Sequence, residues 1–204
     1  KLQKNVKVSL EKEKNSKVMN AEKVLIATGV QGNIEEIGLE NVGIKTDNDS
    51  IVINEFNQTS VRNIYAIGDV SGPPWLAHVA SAQGHVAAEH ASGLTTHPLD
   101  YSNVPACTYC QPQVASLGLT EKAAKDKGYK IKVGRFKFSG SGKALAIGSS
   151  EGFIKIIFDE KYRELLGCHI IGHDATELIA ELTIAKALET TWQEIAITMH
   201  AHPT

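Results

Sequence analysis

The sequence predicts two fold classes in succession, an α/β segment and then a complete α+β domain. Two short apolar runs, Val24–Ala27 and Ile64–Ile67, each end at a turn that contains glycine. This pattern is typical of strands that are buried on both faces of a parallel sheet. From Val104 onward the composition changes, and several strand patterns precede a long amphipathic helix pattern. That order favours a largely antiparallel sheet with helices packed against it.

Composition and charge limit the class of protein. The 204 residues are 42% hydrophobic and 22% charged, with a formal net charge of −2. This balance is typical of a soluble globular protein with a real core, and it predicts no nucleic-acid partner and no membrane partner. The apolar runs are far shorter than the ~20 residues of a membrane-spanning helix. Three cysteines are too few for a closed disulfide framework and indicate a cytoplasmic setting, bacterial or in a mitochondrial matrix.

Both ends of the sequence favour a piece of a longer protein. The chain starts at Lys1 instead of Met and shows no secretory signal pattern. It stops at Thr204, directly after an amphipathic region. We therefore expect this chain to carry only part of a function.

The first half of the chain alternates strand, turn and helix patterns. Val6–Leu10 and Lys17–Met19 flank a charged turn and predict a β-hairpin. Ile51–Ile53 predicts a further strand, and Ser71–Pro74 has the composition of a loop. Leu76–His90 is rich in alanine and predicts a helix whose small residues indicate close packing or a nearby ligand.

The second half of the chain predicts the elements of one α+β domain. Thr120 is placed to cap a short helix, and Thr191 with Glu194 forms a capping box at the start of a later one. The long helix is Ala175–Glu189, and we expect it to have one buried face formed by Leu178, Ile179, Leu182, Ala185 and Leu188. The predicted strands are Val114–Leu117, Lys130–Phe138, Ala144–Ile147, Phe153–Phe158 and Leu165–Ile171.

Asp69 is the first candidate binding residue. It follows Gly68 at the carboxyl end of the predicted strand Ile64–Ile67, where open α/β sheets bind ligands. Its carboxylate can accept hydrogen bonds from the hydroxyls of a ribose or ribityl chain. The alternative is an ordinary Gly-Asp turn.

The start of the predicted helix adds a second feature to this site. Backbone N–H groups and the positive end of the helix dipole at Trp75–His78 favour developing negative charge, as on a reduced flavin ring. The alternative for His78 is an exposed helix residue or a hydrogen-bonded core histidine.

Several motifs, taken together, resemble the flavoprotein disulfide reductases. They occur in family order and cover essentially the whole chain. The ending, His200-Ala201-His202-Pro203-Thr204, resembles the lipoamide-specific branch, because glutathione reductases share His-Pro-Thr but usually lack the preceding His-Ala. The other matching segments are Val24–Gly29, Thr59 with Tyr65–Asp69, Leu76–His78 and Gly84–Glu89.

The resemblance implies sites for FAD and NAD and one catalytic histidine. Asp69 would accept hydrogen bonds from the ribityl chain of FAD, and Gly29 would lie near bound NAD. His202 would be the acid/base that takes a proton from the dithiol substrate. The residues whose backbone would lie against the flavin pyrimidine ring are Trp75, Leu76, Ala77 and His78, with Trp75 standing where relatives have methionine. Val30 stands where many relatives have arginine.

The resemblance also implies a domain order. Residues 1–29 would end the NAD-binding domain of a FAD/NAD(P)-binding fold, and residues 30–102 would form the carboxyl-terminal part of the FAD-binding and central region. Residues 103–204 would be the α+β interface (dimerisation) domain, truncated just after the catalytic histidine. The glycine-rich fingerprints and the Cys-x4-Cys redox disulfide would lie before Lys1, and an orienting glutamate would follow His202 by five residues.

The partners and alternatives implied by the resemblance are these. The intact protein would be a homodimer that serves lipoyl domains of 2-oxo acid dehydrogenase complexes or the glycine cleavage protein. The isolated chain would be inactive and would hold no flavin. The alternatives are a glutathione-reductase-like enzyme and a chain that acts only as a dimerisation module.

Three further patterns suggest chemistry less strongly. Cys107 and Cys110 form a C-x-x-C pair, but no second pair accompanies it and Cys168 stands alone, so redox or zinc chemistry is the weaker interpretation. Ser139–Lys143 is similar to a phosphate-binding loop but lacks its spacing, and a solvent-exposed hairpin is the better interpretation. His169 and His173 are interpreted as packing or solvent residues, and no metal site is expected.

Overall fold

The computed structural model describes residues 6–12 and 15–204 and divides the chain into two compact units. Unit 1 is Lys1–Thr96 and unit 2 is His97–Thr204. Among the described residues, no helix is long and apolar enough to cross a membrane.

Unit 1 contains two small hairpins and one long helix. Strands β1 (Val6–Lys12) and β2 (Asn15–Ala21) pair antiparallel, with Val6 opposite Ala21, which confirms the predicted hairpin. Part of its predicted charged turn, residues 13–14, lies outside the described residues. Strands β3 (Thr46–Asp47) and β4 (Ser50–Ile51) form the second hairpin. The helix α1 (Ala77–Ala91) agrees with its prediction, and short 3-10 helices form at Leu39–Val42 and Gly68–Ser71.

The two buried strands predicted in this unit are wrong. Val24–Ala27 pairs with no strand among the described residues, and the side chains of Leu25 and Ile26 are 90% and 80% exposed. Ile64–Ile67 forms only an isolated bridge, between Tyr65 and Gln58. A continuous apolar run carries no information about the neighbouring strand that must take its N–H and C=O groups, so the pattern alone could not establish a sheet.

Unit 2 is built on a five-stranded antiparallel sheet with the order β5-β6-β9-β8-β7. This confirms the predicted α+β class with a largely antiparallel sheet. The strands are β5 (Ala106–Thr108), β6 (Gln113–Gly118), β7 (Ile131–Lys137), β8 (Gly152–Asp159) and β9 (Leu165–Gly172). The helices are α2 (Glu121–Asp126), α3 (Gly142–Ala146), α4 (Ala175–Ala187) and α5 (Trp192–Ile197).

Strand β9 contributes side chains to both cores of unit 2. Cys168 and Ile170 are buried in the cluster that includes Ile179 of α4. Leu166 is buried in a second cluster with Ala124 of α2. Leu166 and Cys168 are two residues apart, so regular alternation would place both on one face. The pairing of β8 with β9 shifts register between Ile157 and Phe158, beside Leu166, and β9 contributes to both cores.

Two predictions in unit 2 need correction. Ala144–Ile147 is not a strand and Ser139–Lys143 is not a hairpin, since the segment forms a 3-10 helix at Phe138–Gly140 and then α3. The Ser141 hydroxyl accepts a hydrogen bond from the backbone N–H of Ala144, and this local cap favours the helix over an extended chain.

The buried face of α4 is narrower than predicted. Ala175, Ile179 and Leu182 are buried at a spacing of four and three residues, which makes one stripe along the helix. Leu178 and Leu188 were expected in this face but are 47% and 70% exposed. Leu178 lies beside the stripe, and Leu188 follows the last residue of α4 on the side away from it.

Candidate functional site

Asp69 lies in the 3-10 helix Gly68–Ser71, and its side chain is exposed. The backbone N–H of Gly68 donates to the side-chain oxygen of Gln83 at 2.7 Å, which ties this turn to α1. Gly68 has φ +73°, and a Cβ there would lie 3.3 Å from the Cβ of Ala80. The positive φ favours glycine at this position, and an added Cβ would also be in tight contact with Ala80. Unit 1 thus holds the turn that carries Asp69 against the middle of α1, and a ligand shared by Asp69 and the helix start stays a prediction.

The second part of the candidate site is the start of α1, where the N-cap side chain accepts no hydrogen bond from the backbone. Its N-cap residue, Leu76, has an extended conformation and provides no side-chain cap. Trp75, Ala77 and His78 are exposed, and Leu76 is half-buried. Trp75 also lines a cleft of about 470 Å³ together with β4 and the loop around Gly72. An uncapped helix start favours an anionic or electron-rich group nearby.

Gly29 is exposed and has φ +127°. A Cβ at this position would meet no atom within 4 Å, so the glycine is required by its backbone conformation and not by lack of space. Its surroundings in unit 1 leave the position open to solvent.

The histidines near the end of unit 2 differ in their contacts. Both ring nitrogens of His200 are engaged, Nε2 with Oε1 of Glu181 at 2.7 Å and Nδ1 with the carbonyl oxygen of Thr198 at 2.8 Å. His202 is exposed. It lies within a turn closed by a hydrogen bond from the Thr204 hydroxyl to the carbonyl oxygen of Ala201.

His200 also lines a mostly apolar groove of about 550 Å³ in unit 2. One wall is the sheet, including Phe136 and Ile154, and the other is α4 with Leu178. Pro203 and Thr204 lie at the same groove, whereas His202 does not line it. The exposed imidazole of His202 is therefore available to a group outside unit 2.

The cysteines lie apart from these histidines in the sequence and differ in exposure. All three are free thiols, with Cys168 buried, Cys107 half-buried and Cys110 exposed. Burial raises the pKa of the Cys168 thiol to about 12. Burial and, secondarily, the negative charge of Glu177 raise the pKa of the Cys107 thiol. Within the described part of the chain, no group of three or more His, Cys, Asp or Glu residues could hold a metal ion.

Two sequence models of one family match almost the whole chain. The dimerisation domain of pyridine nucleotide-disulphide oxidoreductases matches residues 104–204, and the pyridine nucleotide-disulphide oxidoreductase model matches residues 1–84. The chain belongs to the pyridine nucleotide-disulphide oxidoreductase family. This membership confirms the predicted fold class, a nucleotide-binding segment followed by an α+β dimerisation domain.

Members of this oxidoreductase family with curated names are similar to the chain over most of its length. A dihydrolipoyl dehydrogenase of Rhizobium etli is 51% identical over 187 residues, which are 91% of this chain and 39% of that protein. A dihydrolipoyl dehydrogenase of Bacillus subtilis is 48% identical over 200 residues, which are 98% of this chain and 42% of that protein. The chain thus spans 39% to 42% of the length of these two relatives.

Two solved structures have the same fold as this chain. The crystal structure of LpdA from Mycobacterium tuberculosis matches with a TM-score of 0.86 and 25% identity, covering 92% of this chain and 41% of that one. The flavoprotein disulfide reductase RclA from Escherichia coli matches with a TM-score of 0.87 and 23% identity, covering 97% of this chain and 46% of that one. At this identity, the RclA match supports the fold alone.

Glu181 is the functional candidate that sequence reasoning missed. It pairs with His200 across 19 positions of the sequence. No local pattern connects a glutamate in the middle of α4 with a histidine beyond α5, so only the packing of unit 2 could reveal the pair.

Proposed function

We propose that this chain is the carboxyl-terminal part of a dihydrolipoyl dehydrogenase that oxidises protein-bound dihydrolipoamide to lipoamide and reduces NAD to NADH. The observation that carries the proposal is 48% to 51% identity to dihydrolipoyl dehydrogenases over 91% to 98% of this chain. In the balanced reaction, the two thiols lose two electrons and two protons as their sulfurs join. NAD takes a hydride and one proton is released.

His202 is the group that we assign to proton transfer. A thiolate and not a thiol attacks a disulfide, so dihydrolipoamide needs a base at neutral pH. Histidine as a side-chain type has an unperturbed pKa of ~6.5, so an imidazole can accept and return a proton at neutral pH. The exposed side chain of His202 supports this role because the substrate must reach it. The cysteines of this chain are not assigned to the redox disulfide, since Cys168 is buried and Cys107 and Cys110 belong to β5 and the turn after it.

The residues of unit 1 fit the two cofactors that the family implies. The Asp69 carboxylate is exposed and can accept hydrogen bonds from ribityl hydroxyls of FAD. The uncapped start of α1, at Trp75–His78, presents backbone N–H groups that suit the electron-rich pyrimidine ring. Gly29, with its open surroundings, is assigned to NAD. FAD, when bound, supplies two-electron transfer between thiols and NAD.

The assembled enzyme is proposed to be a homodimer, with lipoyl domains of 2-oxo acid dehydrogenase complexes or of the glycine cleavage system as its partners. The match of residues 104–204 to a dimerisation domain supports the dimer. The exposed Leu178 and Ile184 of α4 and Leu188 directly after it support the dimer further, because exposed apolar residues grouped in one region favour a protein contact. Domain limits at residues 29 and 102 and a cytoplasmic setting stay predictions.

Replacing His202 by glutamine tests the proposal in the assembled enzyme that contains this sequence. Turnover with dihydrolipoamide should fall by the ~10²–10⁴-fold of a lost general base. Electron transfer from NADH to ferricyanide requires no thiol deprotonation and should largely survive. His97→Gln, at another exposed histidine, is the matched control and should leave both rates unchanged.

Two outcomes would contradict this assignment. Turnover of His202→Gln within twofold of the parent enzyme would exclude His202 as the base. Faster NADPH-dependent reduction of glutathione disulfide than NAD-dependent oxidation of dihydrolipoamide would indicate a glutathione-reductase-like enzyme instead.

A further inference from the structure

The contacts of His200 require two ring protons. Its Nδ1 lies 2.8 Å from the carbonyl oxygen of Thr198, which can only accept a hydrogen bond. Its Nε2 lies 2.7 Å from Oε1 of Glu181, and an ionised carboxylate also only accepts. A neutral imidazole has one N–H and can satisfy one of these acceptors. Both contacts are made together only by the imidazolium form.

This imidazolium connects two elements of unit 2. Thr198 is held at the end of α5, because its backbone N–H and its hydroxyl both donate to the carbonyl oxygen of Glu194. Glu181 lies in the middle of α4. His200 therefore ties the segment after α5 to α4. His202 follows two residues later, between this tie and the hydrogen bond from Thr204 to Ala201.

Charged groups from several elements contact His200 or line the groove that it lines. Glu181 is the carboxylate in direct contact. Lys143 of α3 and the pair His173–Asp174, joined at 3.3 Å before α4, line the same groove as His200. Hydrogen bonds and the charge of Glu181, together with the Thr198 carbonyl, raise the pKa of His200. With its pKa raised, His200 keeps the contact at pH values below that pKa where Glu181 is still ionised, and the contact is lost as pH rises through the pKa of His200.

We propose that Glu181 and His200 form a proton-dependent latch that positions the segment carrying His202 for acid/base chemistry. The proposal rests on the function proposed above and adds two positioning residues to it. An exposed ion pair contributes little to global stability, so the consequence of the latch is local. A small displacement of a reacting group can lower the rate by up to ~10²-fold. The contact between Glu181 and His200 therefore affects turnover by fixing the position of His202.

Histidine ¹⁵N NMR of the 204-residue chain tests the latch without any activity. In the parent chain, the His200 ring should titrate above an ordinary histidine, and both of its nitrogens should be protonated below that midpoint. Glu181→Gln should lower the titration midpoint of His200. Glu177→Gln removes the same charge one helical turn earlier on α4 and should leave it unchanged. Equal midpoints in the parent and Glu181→Gln chains would overturn the latch.

Kinetics of the assembled enzyme test the consequence for His202. Glu181→Gln and His200→Gln should each lower kcat with dihydrolipoamide by about tenfold, within the range for a misplaced group. NADH-to-ferricyanide transfer and the KM for NAD should stay unchanged. Loss of kcat at alkaline pH should begin at lower pH in Glu181→Gln, and Glu181→Asp, which keeps the charge, should recover part of the rate.

The results separate the latch from the proposed function. A parental pH profile in Glu181→Gln overturns the latch even where His202→Gln is inactive. A fully active His202→Gln enzyme overturns the proposed function, whatever the NMR midpoints of His200 are.

Discussion

Units 1 and 2 are organised by different interactions. The largest fully buried side chains of the described residues, Leu117, Ile157, Leu165, Cys168 and Ile170, all belong to unit 2. Unit 1 depends more on hydrogen bonds between loops and α1. Buried Asn57 donates to the carbonyl oxygen of Gln83 at 3.2 Å, and the Gln83 side chain accepts from Gly68. His90 stacks on Phe56 and forms a 2.8 Å hydrogen bond with the hydroxyl of Tyr65.

The two units differ in which groups form hydrogen bonds with their backbone N–H and C=O groups. In unit 2 the five strands take one another's N–H and C=O groups, so their apolar side chains can be buried on both faces. In unit 1 the segment from Val24 to Val30 pairs with no strand among the described residues, and it exposes Leu25 and Ile26. Such exposure is typical of a surface that is covered when a larger assembly forms.

The largest expected effect is the protection of the buried thiol of unit 2, Cys168, from a thiol-labelling reagent at pH 8. Only the thiolate reacts, and Cys168, whose pKa is raised to about 12, is also buried. Exposed Cys110 should react first, Cys107 more slowly, and Cys168 at least ~10³-fold more slowly than Cys110. Mass spectrometry of labelled peptides measures the three rates. Denaturant should remove the difference.

The control for this labelling is Cys110→Ser. It should abolish the fast phase and leave the slow phases in place. Fast labelling of Cys168 in the native chain would mean that the core around β9 opens readily, which would break the comparison between the units.

The next largest effect is the difference in unfolding free energy between two leucine-to-alanine substitutions, one in each unit. Leu165 is fully buried in unit 2, whereas Leu25 in unit 1 is exposed. Leu165→Ala should lower the free energy of unfolding of unit 2 by about 2–5 kcal/mol, because it removes apolar contacts and leaves a cavity. Leu25→Ala should change stability by less than ~0.5 kcal/mol.

Each unit contains one tryptophan, Trp75 in unit 1 and Trp192 in unit 2, which gives each a separate fluorescence signal. Urea unfolding of the Trp75→Phe chain follows unit 2 through Trp192. A large loss of stability from Leu25→Ala would mean that the exposed segment of unit 1 is packed in solution.

The same contrast explains how far the sequence could predict the structure. Four strands of unit 2, β6 to β9, were predictable because their residue pattern and length specify them. The pairings β7–β8 and β8–β9 join neighbours along the chain, whereas the β6–β9 pairing and strand β5 were not predicted. Val24–Ala27 has equally strong apolar character, but a strand also needs a partner, which composition does not encode. The strand predicted at Ala144–Ile147 was wrong for a local reason, because the Ser141 side chain caps a helix that begins there.

The candidate site was predictable where one local motif carries it. Asp69 and the start of α1 lie only a few residues apart in the sequence, and the Gly68 hydrogen bond ties the turn of Asp69 to Gln83 in the middle of α1. Glu181 was not predictable, because its contact with His200 depends on how α4 packs beside the segment after α5. Assignments to cofactors and proton transfer depend on the resemblance and stay predictions.

The smallest effect concerns how helices begin in the two units. The hydroxyl of Thr120 caps α2 by accepting from the backbone N–H of Ala123 at 3.1 Å, whereas α1 in unit 1 begins at Leu76 without a side-chain cap. Thr120→Ala should therefore lower the stability of unit 2 by about 1 kcal/mol. Thr120→Ser keeps the hydroxyl and should stay within a few tenths of the parent value. Urea unfolding followed at Trp192 measures both changes. Equal losses in the two variants would show that the Thr120 methyl group, and not the cap, stabilises the start of α2.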